Sequence, residues 1–166
     1  MKKQLLLLSV MAFALFSCDK EDENPSTFFE GIYENTRSED LEKPYYTEVM
    51  TFTKSGKVLI ENFVYMVNAE EPCLQAYSEG SYRLNGEEFK LTLTSLYGPD
   101  PAAFDISEGC IPKENLVNNL NPDYTVRNGI LIFGESRESF SLQFPCNDMP
   151  NANSICLGAS TFEKVD

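Results

Sequence analysis

Cysteine is the most reactive residue type in this chain, since histidine is absent from all 166 positions. Cys73, Cys110, Cys146 and Cys156 lie in the body of the chain, and Cys18 lies near its start. Zinc sites use closely spaced cysteine pairs, often with histidine, and neither feature is present. The four body cysteines therefore predict two disulfide bonds in an oxidising compartment.

More than one connectivity of these four cysteines is possible. A bond between Cys146 and Cys156 would close a local loop rich in Asn and Pro, which leaves Cys73 to pair with Cys110. Sequence alone does not choose between this arrangement and its alternatives.

The acidic side chains form no catalytic pattern. Without histidine the chain lacks the commonest general base and cannot build a Ser-His-Asp or Cys-His site. Neighbouring carboxylates such as Glu70 and Glu71 are expected among 26 acidic residues and indicate solvated surface. The polar segment 147–154 lacks the spacing and final Glu of an EF-hand loop. We therefore predict a protein that is not an enzyme and holds no metal or cofactor.

The net charge of −13 disfavours nucleic acid as a partner, because phosphate backbones would be repelled. The part of the chain that follows residue 17 has the size of one ordinary domain.

The start of the chain predicts export and a membrane anchor. Residues 1–3 are a cationic head, residues 4–16 are apolar, and an acidic run follows Cys18. The apolar run is too short for a permanent span, so residues 1–17 are predicted to be a signal peptide. Leu15, Ser17 and Cys18 resemble the lipobox of bacterial lipoproteins, and that resemblance implies acylation of Cys18 by fatty acids such as palmitate.

The acidic run beyond Cys18 predicts an exposed spacer, so residues 18–27 are assigned as lipidated cysteine and flexible linker. The run is also similar to the export signal that places lipoproteins on the cell surface of some Gram-negative bacteria. We expect an outer-membrane location on the outer face, with the periplasmic leaflet as the alternative.

Residues 28–166 alternate between apolar and polar positions, as strands do. Gly56 predicts a three-residue hairpin loop that pairs Phe52 with Val58 and Met50 with Ile60. Asn85-Gly86 predicts a second hairpin that pairs Tyr82 with Phe89. The segment 127–129 is either a hairpin turn or part of one long strand, which leaves nine or eight strands possible. Residues 111–120 predict a short helix within a long loop.

Several short segments together resemble the lipocalin-like domains of bacterial lipoproteins. They are residues 31–33, 51–58, 80–82, 91–94 and 161–165. The resemblance implies an all-β, antiparallel up-and-down barrel of about eight strands, sometimes with an internal cavity.

Alternate connections of such a meander lie at the same end, so Cys73 and Cys110 are predicted at one rim, opposite Gly56 and Gly86. This rim is our candidate recognition surface. The residues expected to line the interior and contact a ligand are Phe52, Val58, Ile60, Tyr82, Phe89 and Leu91.

Two functions remain open. The first is a surface lipoprotein whose barrel binds a small apolar or amphipathic ligand. The second is an interaction module with a solid core, serving as accessory subunit of a surface protein complex. The segment 63–67 is apolar on both faces, so its outer side is expected to be covered by the loop 97–122 or by a partner.

Overall fold

The computed structural model describes residues 27–37, 43–67, 71–102, 110–145 and 158–165. The predictions for the signal peptide, Cys18, the linker up to residue 26, Cys146, Cys156 and the segment 147–154 lie outside the described residues. Thr27, the last residue of the predicted linker, pairs with Leu84. Within the described ranges, no helix has the length and hydrophobicity required to span a bilayer.

Nine antiparallel strands make up the fold. They are β1 (Gly31–Arg37), β2 (Tyr45–Phe52), β3 (Lys57–Tyr65), β4 (Cys73–Asn85), β5 (Glu88–Gly98), β6 (Val117–Asn118), β7 (Val126–Phe133), β8 (Ser139–Gln143) and β9 (Ser160–Val165). The long loop before β6 carries one 3-10 turn, Lys113–Asn115, and a second turn, Pro122–Tyr124, precedes β7. Within residues 111–120 the predicted short helix is therefore present only as the single 3-10 turn Lys113–Asn115.

Eight of these strands close into a barrel, and β6 is the extra one. Strands β1 to β5 pair in sequence order, β5 also pairs with β7, β7 with β8 and β8 with β9, and β9 returns to β1 with Tyr33 opposite Lys164. Closure removes the open edges that would otherwise invite aggregation. The segment 127–129 lies inside the continuous strand β7, so the barrel has eight strands rather than nine. The predicted antiparallel up-and-down barrel is confirmed.

The first hairpin has the predicted register. Phe52 lies opposite Val58 and Met50 opposite Ile60. Gly56 adopts a φ of 76°, a left-handed conformation that L side chains disfavour.

The second hairpin differs from the prediction. The structure pairs Leu84 with Phe89 and Tyr82 with Leu91, whereas we expected Tyr82 opposite Phe89. The reason is that Gly86, with a φ of 59°, is the first of the two turn residues rather than the second. The shift preserves the inward side of each strand, since Tyr82, Phe89 and Leu91 are all buried.

An aromatic floor closes one end of the barrel. The segment before β1 crosses this end, and the amide of Thr27 donates to the carbonyl of Leu84 at 2.8 Å. It inserts Phe29, whose ring centroid lies 4.5 Å from that of Phe52 and 5.0 Å from that of Phe133. The Tyr82 hydroxyl accepts from the amide of Phe29 at 2.9 Å and donates to the carbonyl oxygen of the same residue. Phe29 therefore acts as a plug.

The long loop between β5 and β7 is fixed to the outside of the barrel by a disulfide. Cys73 bonds to Cys110 with their Cα atoms 5.3 Å apart, which confirms this predicted pair. Lys113 Nζ then lies 3.7 Å from Glu61 Oε1 and 4.6 Å from the centre of the Tyr77 ring. Leu116 is buried, and β6 pairs with the end of β5. Residues 110–118 thus cover part of the outer face of β3–β5. The apolar segment 63–67 is not fully covered, since Met66 and Val67 are 47% and 46% exposed.

Candidate functional site

The two ends of the barrel have different chemistry. The tight turns at Gly56 and Gly86 and the plug Phe29 lie at the floor. The disulfide between Cys73 and Cys110 lies at the opposite end, which we call the mouth. The inference that both cysteines share one rim is therefore confirmed by the topology.

The six predicted lining residues all belong to the buried core of the barrel. They are only 1–7% exposed and form one cluster with Phe29, Tyr33 and Phe140. They are Phe52, Val58, Ile60, Tyr82, Phe89 and Leu91. The strand registers predicted that these residues face the interior, and this is confirmed. There they pack against other side chains of the protein. Their role in ligand binding remains a prediction.

A cleft of about 640 Å³ opens at the mouth, beside the point where β5 and β7 part. Their pairing stops at Thr92 opposite Val126, and the end of β5 pairs with β6 instead. The chain between β6 and β7 leaves the sheet at this point, so the wall of the barrel is interrupted. The side chains around the cleft are Leu93, Leu96, Asn119, Leu120, Asn121, Asp123, Val126, Arg127, Asn128, Phe144 and Pro145.

Arg127 is the cation of this cleft. It lies on the same face of β7 as the buried Leu131, and its guanidinium carbon lies 4.0 Å from the centre of the Phe144 ring. The residue as a whole is exposed, and the neighbouring side chains desolvate its guanidinium in part. This loss of water lowers the pKa of Arg127, and the negative charge of Glu48 acts against that shift. A cation stacked on an aromatic ring is held in place for a partner.

Glu48 is the carboxylate of the mouth. It shares the inward side of β2 with Met50 and lines a smaller crevice of about 180 Å³ with Asn35, Arg37 and Asn62. Burial raises the pKa of Glu48 above its ordinary 4.5, while the charges of Arg37 and Arg127 act in the opposite direction. Desolvation outweighs both cations here.

The cation of this crevice, Arg37, already donates hydrogen bonds to neighbouring side chains. Arg37 Nε donates to Asn35 Oδ1 at 3.2 Å, and Arg37 Nη2 donates to Ser160 Oγ at 3.1 Å. Within the described residues, no group of three or more His, Cys, Asp or Glu side chains is arranged to hold a metal ion. The mouth therefore combines apolar walls with a few isolated polar groups.

Comparison with protein-family models, with curated proteins and with solved structures found no match for this chain. Its function must therefore be inferred from the chemistry of the barrel itself.

Sequence reasoning did not identify Glu48, Arg127 or the plug Phe29. Strand alternation carried a signal for the first two, because Glu48 has the parity of Met50 and Phe52, and Arg127 has that of Leu131. Phe29 has the parity of the buried Tyr33, but alternation does not show that Phe29 lies outside β1 and crosses the end of the barrel.

Glu48 makes the stability of the barrel depend on pH. A raised pKa in the folded state means that the folded chain retains a proton after the unfolded chain has lost it. This contribution to stability is complete below about pH 4.5 and is lost as the pH rises through the raised pKa. We expect Glu48→Gln to be more stable than the wild type at pH 7, and the difference to vanish below about pH 4.5.

Urea denaturation followed by circular dichroism across this pH range measures the effect. Glu88→Gln is the matched control, because it removes the same charge from an exposed position on β5. A Glu48→Gln variant that is less stable than the wild type at pH 7 would show that the ionised carboxylate stabilises the mouth.

Proposed function

We propose that this chain is a cell-envelope lipoprotein whose barrel binds a small amphipathic molecule at its mouth, without catalysing a reaction. The observation that carries the proposal is the cleft of about 640 Å³ between β5, β7 and the end of β8. Ligand sites of small molecules commonly span about 300–1,000 Å³, with apolar walls and a few placed polar groups.

The mouth is a better place for a ligand than the floor. Leu93, Leu96 and Phe144 offer apolar surface to the cleft, and Arg127 offers charge beside them. At the floor the interior is occupied by the ring of Phe29 and by the side chains packed around it. The six residues predicted from sequence then act as a rigid base below the ligand.

Native mass spectrometry of the protein released from its membrane tests the binding proposal. We expect a population that carries one small-molecule adduct, which is lost on denaturation. A protein that is adduct-free, both as isolated and after incubation with amphiphiles, would contradict a carrier function.

The proposed anchor of this protein is acylated Cys18, in the outer membrane of a Gram-negative bacterium. The acidic linker would connect this anchor to a barrel that lies on the outer side of the membrane. Two or more acyl chains are needed for stable anchoring. In cells fed an alkyne analogue of palmitate, we expect the wild type to be labelled and Cys18→Ser to be unlabelled. Equal labelling of the two, or none in the wild type, would rule out this anchor.

An interaction module is the second candidate function. The closely packed aromatic floor favours it, and so do Val126, Ile130 and Ile132, which are 47–50% exposed on the outer side of β7. Crosslinking on intact cells separates the two candidates. A carrier predicts no constant protein partner, whereas an accessory subunit predicts one partner in a fixed ratio.

A further inference from the structure

The mouth of the barrel is far less acidic than the chain as a whole. Among the described residues, its charged side chains are Arg37 and Glu48 at the smaller crevice and Arg127 and Asp123 at the cleft, two cations for two carboxylates, in a protein with a net charge of −13. The carboxylate whose charge acts on the pKa of Arg127 is Glu48. An anion that approaches the cleft therefore meets a guanidinium in a nearly neutral setting.

Arg127 is the cation with unused hydrogen-bond donors. Arg37 already donates to Asn35 and Ser160. In the part of the chain that the structure describes, the guanidinium of Arg127 has no ion pair and no hydrogen-bond acceptor, and its close contact is the face of the Phe144 ring. A guanidinium that is partly desolvated and lacks an acceptor gains strongly from a carboxylate or a similar anion.

The apolar walls of the cleft begin beside this cation. Leu93 packs against the core cluster, Leu96 and Leu120 are half-buried, and Phe144 lies under the guanidinium. An alkyl chain placed along these side chains would leave its headgroup next to Arg127. Neither a purely polar anion nor an uncharged hydrocarbon would use both features.

We infer that the ligand of this cleft is an anionic amphiphile, whose acidic headgroup pairs with Arg127 and whose alkyl chain lies against Leu93, Leu96 and Phe144. The inference rests on the proposed function, since it names the class of molecule that the cleft takes.

Calorimetric titration of the full chain with three probes of similar alkyl length tests the inference. The probes are decanoate, decan-1-ol and decyltrimethylammonium, whose headgroups are anionic, neutral and cationic. We expect decanoate to bind at least about tenfold more tightly than decan-1-ol, since a hydrogen bond to a charged group is worth more than a neutral one. The cationic probe should bind most weakly.

Variants of Arg127 assign the preference to this side chain. Arg127→Gln should bind decanoate and decan-1-ol equally, and Arg127→Lys should retain part of the preference because it keeps the charge. Arg83→Gln is the matched control, since it removes an exposed cation from the outer side of β4 and should preserve the full preference.

The possible failures are distinguishable. Equal binding of all three probes by the wild type would overturn the anionic headgroup while leaving an amphiphile-binding cleft in place. Binding of none of them would overturn both the inference and the proposed function. A preference for decanoate that survives in Arg127→Gln would show that another cation receives the headgroup. Should Arg127→Gln fail to fold, the wild-type preference and the Arg127→Lys titration decide the question.

Discussion

Replacing Phe29 by alanine should lower the free energy of unfolding by about 3–5 kcal/mol, the cost typical of deleting a buried aromatic side chain. The ring of Phe29 packs against those of Phe52, Tyr82 and Phe133 at centroid distances of 4.5, 5.1 and 5.0 Å. Alanine would leave a cavity among side chains that belong to different strands, and such a site collapses poorly.

Phe28→Ala is the matched control for this change. Phe28 is the adjacent residue of the same type, but it is 42% exposed at the outside of the floor. Denaturation in guanidinium chloride, followed by far-ultraviolet circular dichroism, measures both variants. If Phe29→Ala cost no more than Phe28→Ala, residues 27–30 would not form the plug of this barrel.

Removal of the disulfide by the double substitution Cys73→Ala/Cys110→Ala should have the second-largest effect. The two cysteines are 37 residues apart in the sequence, and the chain-entropy argument assigns a loop of this length about 3–4 kcal/mol. The loss should also loosen residues 110–118, because the contacts of Lys113 with Glu61 and Tyr77 are exposed and weak on their own.

Chemical denaturation of the double variant tests this expectation. Adding a reductant to the wild type should reproduce most of the loss, and the double variant should respond less to the same reductant. If the free energy of unfolding of the double variant were within about 1 kcal/mol of the wild-type value, the disulfide would not be what holds this loop in place.

Alternation and glycine turns were sufficient to predict antiparallel strands and hairpins, and the resemblance to lipocalin-like domains implied that they close into a barrel. Phe52, Val58 and Ile60 could be placed on one face from their spacing alone, and the pairing across Gly56 followed from the length of the loop. The topology of a meander then placed Cys73 and Cys110 at one rim. These inferences depend on short-range pattern, which a single sequence contains.

The second hairpin shows where such reasoning fails. Asn85-Gly86 suggested a turn with both residues at positive φ, whereas Gly86 alone adopts it and Asn85 pairs with Glu88. Side-chain pairing does not decide between the two registers, because Phe89 faces a large inward side chain in both, Tyr82 in the expected one and Leu84 in the observed one. Alternation fixes the face of a residue but not its partner.

The candidate site could be predicted only in part. Alternation could have assigned Glu48 and Arg127 to the interior, since each shares the parity of a buried residue on its own strand. The interruption of the wall beyond Thr92 could not be foreseen, because it depends on where the chain after β6 leaves the sheet. The insertion of Phe29 into the floor is likewise a tertiary effect.

The central claim is that an amphiphile binds at the mouth, and not at the floor or on the outer surface. Photolabelling is its most direct test. The probe is a ten-carbon carboxylate with a diazirine on its chain, and the crosslinked residues are mapped by mass spectrometry. The account predicts crosslinks on Leu93, Leu96 or Phe144 that disappear with excess decanoate. Crosslinks on outward-facing residues such as Ile130 and Ile132, unchanged by decanoate, would contradict it.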